Sequence, residues 1–357
     1  MTKVLMCGNH PTDKGGMTSV IRQIREHDWE SEGIELSFIP TFMPGNIAKK
    51  TLFFAGAYLR IAFRMAFDKP DAVHIHMSYK GSFTRANAVQ ALCRAFHVKD
   101  IIHVHGSEFE KWYDSLAERK RQKIRKFLRE ASVVIVLGEK WEKILRRIEP
   151  AAKTTVLSNA VSIPKELPKR NGETTDILFL GVLTQRKGVA DLLNAVRMLA
   201  DSGRIGKMHF TIAGSGKDEE KLKKQADELG INNYVSFVGW ISGERKKELL
   251  QQSRIMVLPS YNEGLPISIL EALSYGMPVA ATDVGDIPSA VEDKVNGRLF
   301  KPGDIEAMAE ALTYTASEEN YGRLSAQARK TAEDRFSEEQ FYQRLLAIYS
   351  LQTESSK

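Results

Sequence analysis

The chain has 357 residues, 43% hydrophobic and 27% charged, with a formal net charge of +6. That length exceeds what one hydrophobic core usually serves and predicts two soluble globular domains. The two cysteines, Cys7 and Cys93, leave no disulfide framework or zinc pattern and fit a reducing, cytoplasmic setting, no uncharged apolar run nears the ~18 residues of a membrane span, and MTKVLMCGNHP reads as a strand, not a targeting peptide.

Lys3–Cys7 is a short apolar strand leading into Asp13-Lys14-Gly15-Gly16-Met17 and an amphipathic segment with Val20, Ile21 and Ile24. Strand, glycine turn and helix start is how open α/β sheets hold phosphate, but a Gly-Gly pair by itself is a weak signal and more often marks a plain tight turn. Residues 49–69 mix apolar side chains with cations. Arg60 and Arg64 share one helical face, and Leu52, Phe53, Ala57, Leu59, Phe63 and Phe67 spread over the others. Such a helix either packs in the core with a solvated edge or lies on anionic lipid. A second basic run, Arg119–Arg129, reads as a helix with a long cationic face. Residues 1–168 hold 27 Lys+Arg against 18 Asp+Glu (+9), and residues 169–357 hold 24 against 27 (−3). The basic half therefore predicts an anionic partner, a membrane surface before nucleic acid, because no nucleic-acid module or aromatic stacking pattern accompanies the charge.

Asp71–His76 and Asp100–His105 are two similar strands, DAVHIH and DIIHVH, each ending in His-x-His. Period-two spacing puts each pair on one face. Strand-end histidines at the mouth of an open sheet suit substrate contact. Metal is not expected, since no Cys or Glu-x-x-His companion is evident. Ser132–Leu137 and Val156–Asn159 read as further strands, and turn-rich Pro164–Glu173 as the interdomain linker.

Asp176–Leu180 opens the second half as a strand, followed by Gly181-Val182-Leu183-Thr184-Gln185-Arg186-Lys187-Gly188. Met208–Ala213 is a strand, and Gly214-Ser215-Gly216-Lys217 after it lacks the spacing of a nucleotide P-loop. A helix Asp218–Leu229 is capped by Gly230. In the strand and turn Val235–Ile241, Trp240 either flanks a base or simply packs. Ile255–Leu258 feeds Pro259–Pro278, PSYNEGLPISILEALSYGMP. There Gly264 permits close backbone approach, Pro266 suits a first helical turn, and Ile267, Leu270 and Leu273 form an apolar face. Glu263 stands just ahead of that helix and Glu271 about one turn inside it. The free N–H groups near Ile267 and Ser268 form an anion site, which would leave both carboxylates for neutral hydroxyls of the same ligand. The plainer reading is a solvated loop acid and a favourable helix-start charge. Val279–Thr282 is one more strand, Asn296-Gly297 a tight turn, and Ser337-Glu338-Glu339-Gln340 a capping box opening a last helix with Phe341, Leu345 and Ile348 on one face.

The string Pro259-Ser260-x-x-Glu263-Gly264-x-Pro266-x4-Glu271-Ala272-x3-Gly276-x-Pro278 resembles the Glu-x7-Glu signature of retaining GT-B glycosyltransferases of family four, bacterial polysaccharide type. The resemblance implies an α/β GT-B fold, two Rossmann-like domains facing a cleft. Residues 1–165 would bind acceptor, 174–336 the nucleotide-sugar, and 337–357 would form a helix crossing back to the first domain. Gly15 and Gly16 match the family's loop beside the donor phosphates, and His105, with Gly106, its histidine beside the donor sugar. Lys187, with Arg186, matches the cations on the diphosphate, and Trp240 follows the glycine whose successors touch the base. Glu263 would hold sugar hydroxyls, Gly264, Leu265, Ile267 and Ser268 the donor through the loop and helix start, and Glu271 the ribose. His105, Glu263 and Lys187 are the expected catalytic residues. Two positions depart from the family: Val182 stands where an arginine is usual, and Ala160 replaces a glycine in Ser158-Asn159-Ala160-Val161.

The implied activity is transfer of a sugar, with retention, from a nucleotide diphosphate donor, UDP before GDP, to a hydroxyl of a saccharide or lipid-linked acceptor, without metal or other cofactor. The setting would be the cytoplasm, including the inner face of its membrane. A GT-B sugar-nucleotide epimerase and a catalytically silent nucleotide-sugar-binding or recruitment subunit are the alternatives.

Overall fold

The structure, a computed structural model, describes residues 1–13, 15–170 and 174–354, the last three by backbone alone. Lys14 of the glycine turn and the end of the expected linker, residues 171–173, lie outside the described residues. The chain divides into two compact units, Met1–Ser158 with Glu339–Lys357, and Asn159–Glu338. The seam at Ser158/Asn159 precedes the turn-rich stretch, which runs on the second unit: the Arg170 guanidinium donates to the carbonyls of Leu250 and Tyr275 at 3.2 and 2.8 Å.

Among the described residues each unit carries a six-stranded parallel sheet. The first contains β1 (Thr2–Asn9), β2 (Ile34–Phe42), β3 (Ala72–Met77), β4 (Lys99–Val104), β5 (Val133–Val136) and β6 (Thr154–Val156), in the order β2-β1-β3-β4-β5-β6. The second contains β7 (Thr175–Leu180), β8 (Met208–Ala213), β9 (Val235–Gly239), β10 (Ile255–Leu258), β11 (Val279–Thr282) and β12 (Gly297–Phe300), in the order β12-β11-β10-β7-β8-β9. These are two Rossmann-like domains, as the alternation of strands and helices predicts. The strands β3, β5, β10 and β11 are buried along their whole length because helices cover both faces of each sheet.

Topology also decides where ligands can sit. An open parallel sheet binds at the carboxyl ends of its strands, where the winding direction reverses. In the second unit the reversal falls between the neighbours β7 and β10. The loops that follow them, 181–188 and 259–266, carry Lys187 and Glu263. The glycines of Gly214-Ser215-Gly216 serve packing. A Cβ would stand 1.8 Å from the Gly181 carbonyl oxygen at the first and 2.1 Å from that of Leu183 at the second.

The last helix, Glu338–Glu354, belongs to the first unit from residue 339 onward and buries Phe341, Leu345 and Ile348. Tyr349, absent from the expected face, is also fully buried, and its hydroxyl meets His74 Nδ1 at 2.8 Å.

Candidate active site

Loop 181–188 ends in a short 3-10 turn, Gln185–Lys187, closed by Gly188 in the left-handed region (φ 69°). That turn directs Lys187 inward. Its Nζ lies 2.6 Å from Glu263 Oε1, and both residues are buried. Arg186 Nη1 donates to the Asn262 carbonyl at 2.5 Å and stands 3.6 Å from Glu263 Oε2. Glu263 is therefore not the solvated loop acid of the plainer reading. Burial pushes the Glu263 carboxyl up, but Lys187 and Arg186 outweigh it and hold it below the usual carboxylate range. Two cations on one carboxylate leave one positive charge at the strand ends, suited to a ligand anion.

Loop 259–266 is pinned from several sides. The Tyr261 N–H donates to the Arg186 carbonyl at 2.8 Å, the Asp286 N–H to the Gly264 carbonyl at 3.0 Å, and the Thr282 hydroxyl to the Ser260 carbonyl at 2.6 Å. Asn159 Nδ2 donates to the Leu265 carbonyl at 2.8 Å. Pro266 is the cap of the helix Ile267–Ser274, one position earlier than expected. The first helical amides, Ile267 and Ser268, donate to no backbone carbonyl among the described residues, whereas Ile269 and Leu270 already bond back to Pro266. Unused amides and the helix dipole make that start attractive to an anion.

Glu271 lies one turn in and accepts from Lys246 Nζ of the helix Gly243–Gln252. Trp240, 40% exposed, follows the left-handed Gly239. The structure thus brings Lys187, Arg186 and Glu263 into one cluster, with the Gly264–Ser268 backbone continuing from it, and gives Glu271 a partner of its own. Val182 stands at the arginine position of the resemblance, and Arg186, from the next turn, is the second cation beside Glu263. Lys246 and Asn159 were invisible as site residues in the sequence. A lone lysine on an amphipathic helix carries no signal, and Asn159 reaches Leu265 only through the tertiary fold.

In the first unit Gly15 and Gly16 are exposed at the start of the helix Gly16–Glu26, which follows β1 and its turn. His105 follows β4, is half-buried, and donates its backbone N–H to the Met77 carbonyl at 2.8 Å. Its Nε2 lies 2.8 Å from His76 Nδ1, so the two rings share one proton between them. Register places His76 opposite His103 on β4, and His74 Nε2 meets His103 Nδ1 at 3.2 Å. Burial pushes His105 and His74 down to about 3, with the His105 ring adding to the effect on His74. It also holds His76 and His103 well below the ordinary range. Ligand atoms of His74, His76 and His103 lie within 4.8 Å of one another. Burial is the first cause for all four rings and holds them neutral. The cluster is a neutral stack that is only partly hydrogen-bonded: among the described residues His76 Nε2 and His103 Nε2 are buried without a hydrogen-bond partner.

That neutrality has a measurable cost in acid. Folded imidazoles with lowered pKa values bind fewer protons than unfolded ones, so the stability they contribute is complete above about pH 6.5 and is lost as pH falls towards 3. We expect the melting temperature of the first unit to fall between pH 7.5 and 5.5, and the ring protons of His105 to show no titration over that range by NMR.

Comparison with known proteins matches residues 18–164 to Glycosyltransferase Family 4 and residues 163–335 to Glycosyl transferases group 1. The amylovoran biosynthesis glycosyltransferase AmsK of Erwinia amylovora is 27% identical over 289 residues, 78% of this chain and 69% of that protein. Sucrose-phosphate synthase of Thermosynechococcus elongatus superposes with a TM-score of 0.85 at 18% identity, covering 99% of this chain and 100% of that one. HepE of Anabaena, solved in complex with UDP, superposes with a TM-score of 0.78 at 17% identity, covering 98% and 100%. The likeness to these structures establishes the GT-B fold.

Proposed function

The chain is a glycosyltransferase, a family 4 domain followed by a group 1 domain, and from that premise we propose that it moves a sugar from a UDP-sugar to a hydroxyl of a saccharide or lipid-linked acceptor, with retention, in surface polysaccharide biosynthesis. The observation that carries the reading is the buried Lys187–Glu263 pair with Arg186, set beside the unused amides of Ile267 and Ser268. UDP is favoured because HepE was solved with it, and polysaccharide because of the likeness to AmsK.

Under this reading Lys187 and Arg186 stabilise negative charge on the departing diphosphate, with the helix-start amides as further donors. Glu263 accepts from sugar hydroxyls and Glu271 from the ribose. His105 holds the reacting sugar as a neutral donor or acceptor. The acceptor oxygen bonds to the anomeric carbon on the face from which the phosphate oxygen leaves, and its proton passes to that departing oxygen. The cations and amides need no metal for this charge.

Thermal unfolding against UDP, GDP and ADP, without metal and then with EDTA, tests the donor class. At a hundredfold excess over Kd a ligand of the folded state adds about 2.7 kcal/mol. A shift with UDP that survives EDTA supports the reading. No shift with any nucleotide sinks it, and anomeric NMR of the product decides retention. Glu271→Ala should weaken UDP by roughly tenfold, the worth of one charge-assisted hydrogen bond. Lys246→Ala should cost only a few-fold, because it orients Glu271 without touching the nucleotide. Calorimetric titration separates the two.

A further inference from the structure

The helix Ile47–Phe67 wears part of its apolar surface on the outside. Among the described residues ten large hydrophobic side chains are exposed, and five of them, Ile47, Leu52, Leu59, Phe63 and Phe67, lie on this one helix at 62–84% exposure. At about 100° per residue, Leu52, Leu59, Phe63 and Phe67 fall within roughly 80° of arc, and Gly56 lies among them. The buried residues Ala57, Ile61 and Met65 centre about 160° away. The helix therefore has an inner face in the core of the first unit and a second, outer apolar face. An ordinary core helix with a solvated edge would place polar residues there.

The charges around that face have one sign. The helix IAKKTLFFAGAYLRIAFRMAF contains Lys49, Lys50, Arg60 and Arg64 and no acidic residue. Arg64 is paired with Asp68, and Lys50 lies over the Phe42 ring, but Arg60 makes no ion pair among the described residues. Ile39, Leu59, Phe63 and the stems of Arg60 and Arg64 line a shallow apolar hollow of about 480 Å³. The other basic run behaves differently. In the helix Glu118–Glu130, Arg125, Lys126 and Arg129 pair with Glu118, Glu130 and Glu149, and its apolar residues Ile124, Phe127 and Leu128 are buried. Uncompensated cations beside exposed aromatic and aliphatic side chains occur on the first helix alone of these two. No helix of the described residues is long and apolar enough to cross a membrane.

We propose that the outer face of helix Ile47–Phe67 docks this protein on an anionic phospholipid surface. Leu52, Leu59, Phe63 and Phe67 would enter the boundary between headgroups and acyl chains, with Lys49 and Arg60 against lipid phosphates. Apolar burial and cation–phosphate attraction add in such a helix, each cation being worth roughly a fivefold change in affinity.

The test is flotation of the full chain with phosphatidylcholine vesicles, with and without phosphatidylglycerol, in the absence of any nucleotide-sugar. Failure here is therefore separate from failure of the catalytic reading. Binding should be at least tenfold stronger to the anionic vesicles and should weaken with salt. Phe63→Ser with Phe67→Ser should reduce it at least tenfold, and Arg60→Glu by more than fivefold. Both variants alter exposed side chains and should keep the wild-type melting temperature. Leu52→Ser with Leu59→Ser is the second pair, should the first misfold. Absence of binding to anionic vesicles would overturn the proposal, as would binding unchanged by these substitutions. So would a dimer in sedimentation that Phe63→Ser with Phe67→Ser dissolves, which would assign the face to a second copy of the chain.

Discussion

Lys187→Ala should unfold the second unit at a markedly lower temperature at neutral pH and lower turnover by about a thousandfold. Removing one partner of a buried ion pair strands the other, at a cost of roughly 3–5 kcal/mol. Glu263 would keep only Arg186, at 3.6 Å, against its burial. The pH dependence identifies the cause. In the wild type the carboxyl is held below its ordinary 4.5, so the pair contributes stability fully above that pH and loses it as pH falls through the lower folded value. In the variant, burial without Lys187 pushes the carboxyl the other way, so the gap between the two proteins should be widest near neutrality and close on acidification below about 4.5. A gap independent of pH would mean that packing, not charge, was lost. The thousandfold loss of turnover is of the size seen when a preorganised charge facing a developing anion is removed. Glu263→Gln, which keeps the shape and a hydrogen-bond acceptor for Lys187, should fold better than Lys187→Ala.

Gly188→Ala should be among the most damaging single-carbon changes in the second unit. The residue sits at φ 69°, and a Cβ would stand 2.0 Å from the Pro259 carbonyl oxygen and 2.9 Å from its carbon. The obstacle is backbone, so no rotamer change relieves it. The left-handed conformation adds about 1 kcal/mol, and displacing the loop adds more, for a loss of roughly 3 kcal/mol or greater. Because Pro259 opens the loop that carries Glu263, nucleotide binding should fall in the same variant. Chemical denaturation and nucleotide titration read the two effects separately. A variant with wild-type stability would mean that the 181–188 and 259–266 loops are free to part, contrary to the Tyr261–Arg186 backbone bond.

Much of this was legible beforehand because burial on both faces writes strands as unbroken apolar runs. Ile255–Leu258 and Val279–Thr282 stand where such runs predict, and Met208–Ala213, which alternates buried and half-buried residues, is in its expected place too. The misses share a physical cause. β2, IELSFIPTF, is only partly buried and contains Pro40, so it shows neither a clean run nor a clean alternation. β12, GRLF, is a short partner of β11 that begins with the glycine of an expected turn. The expected strand Val156–Asn159 is instead Thr154–Val156, a three-residue edge beyond which the chain leaves the sheet. At the site, Glu263 and Glu271 drew attention by their spacing about a helix start, and Lys187 only through the family resemblance. The Lys246–Glu271 pair could not be read, because it depends on how the helix Gly243–Gln252 packs. The His76–His105 pair was half visible: the repeated His-x-His gave a shared face, and only strand register brought the rings together.

The first unit is built from two separated stretches of chain, with the second unit inserted between them. Residues 159–338 form a complete unit of their own, while Phe341, Leu345 and Tyr349 fill the core of a unit whose other 158 residues come first. On the ribosome, the first unit emerges with a gap where that helix belongs. The second can finish folding once its last strand and helices have cleared the exit tunnel. The first to be made is thus the last to be completed. Its apolar surface, and the His74 ring that meets the Tyr349 hydroxyl, wait for the final helix. A released chain ending at residue 338 should carry a protease-resistant second unit behind a digestible first one.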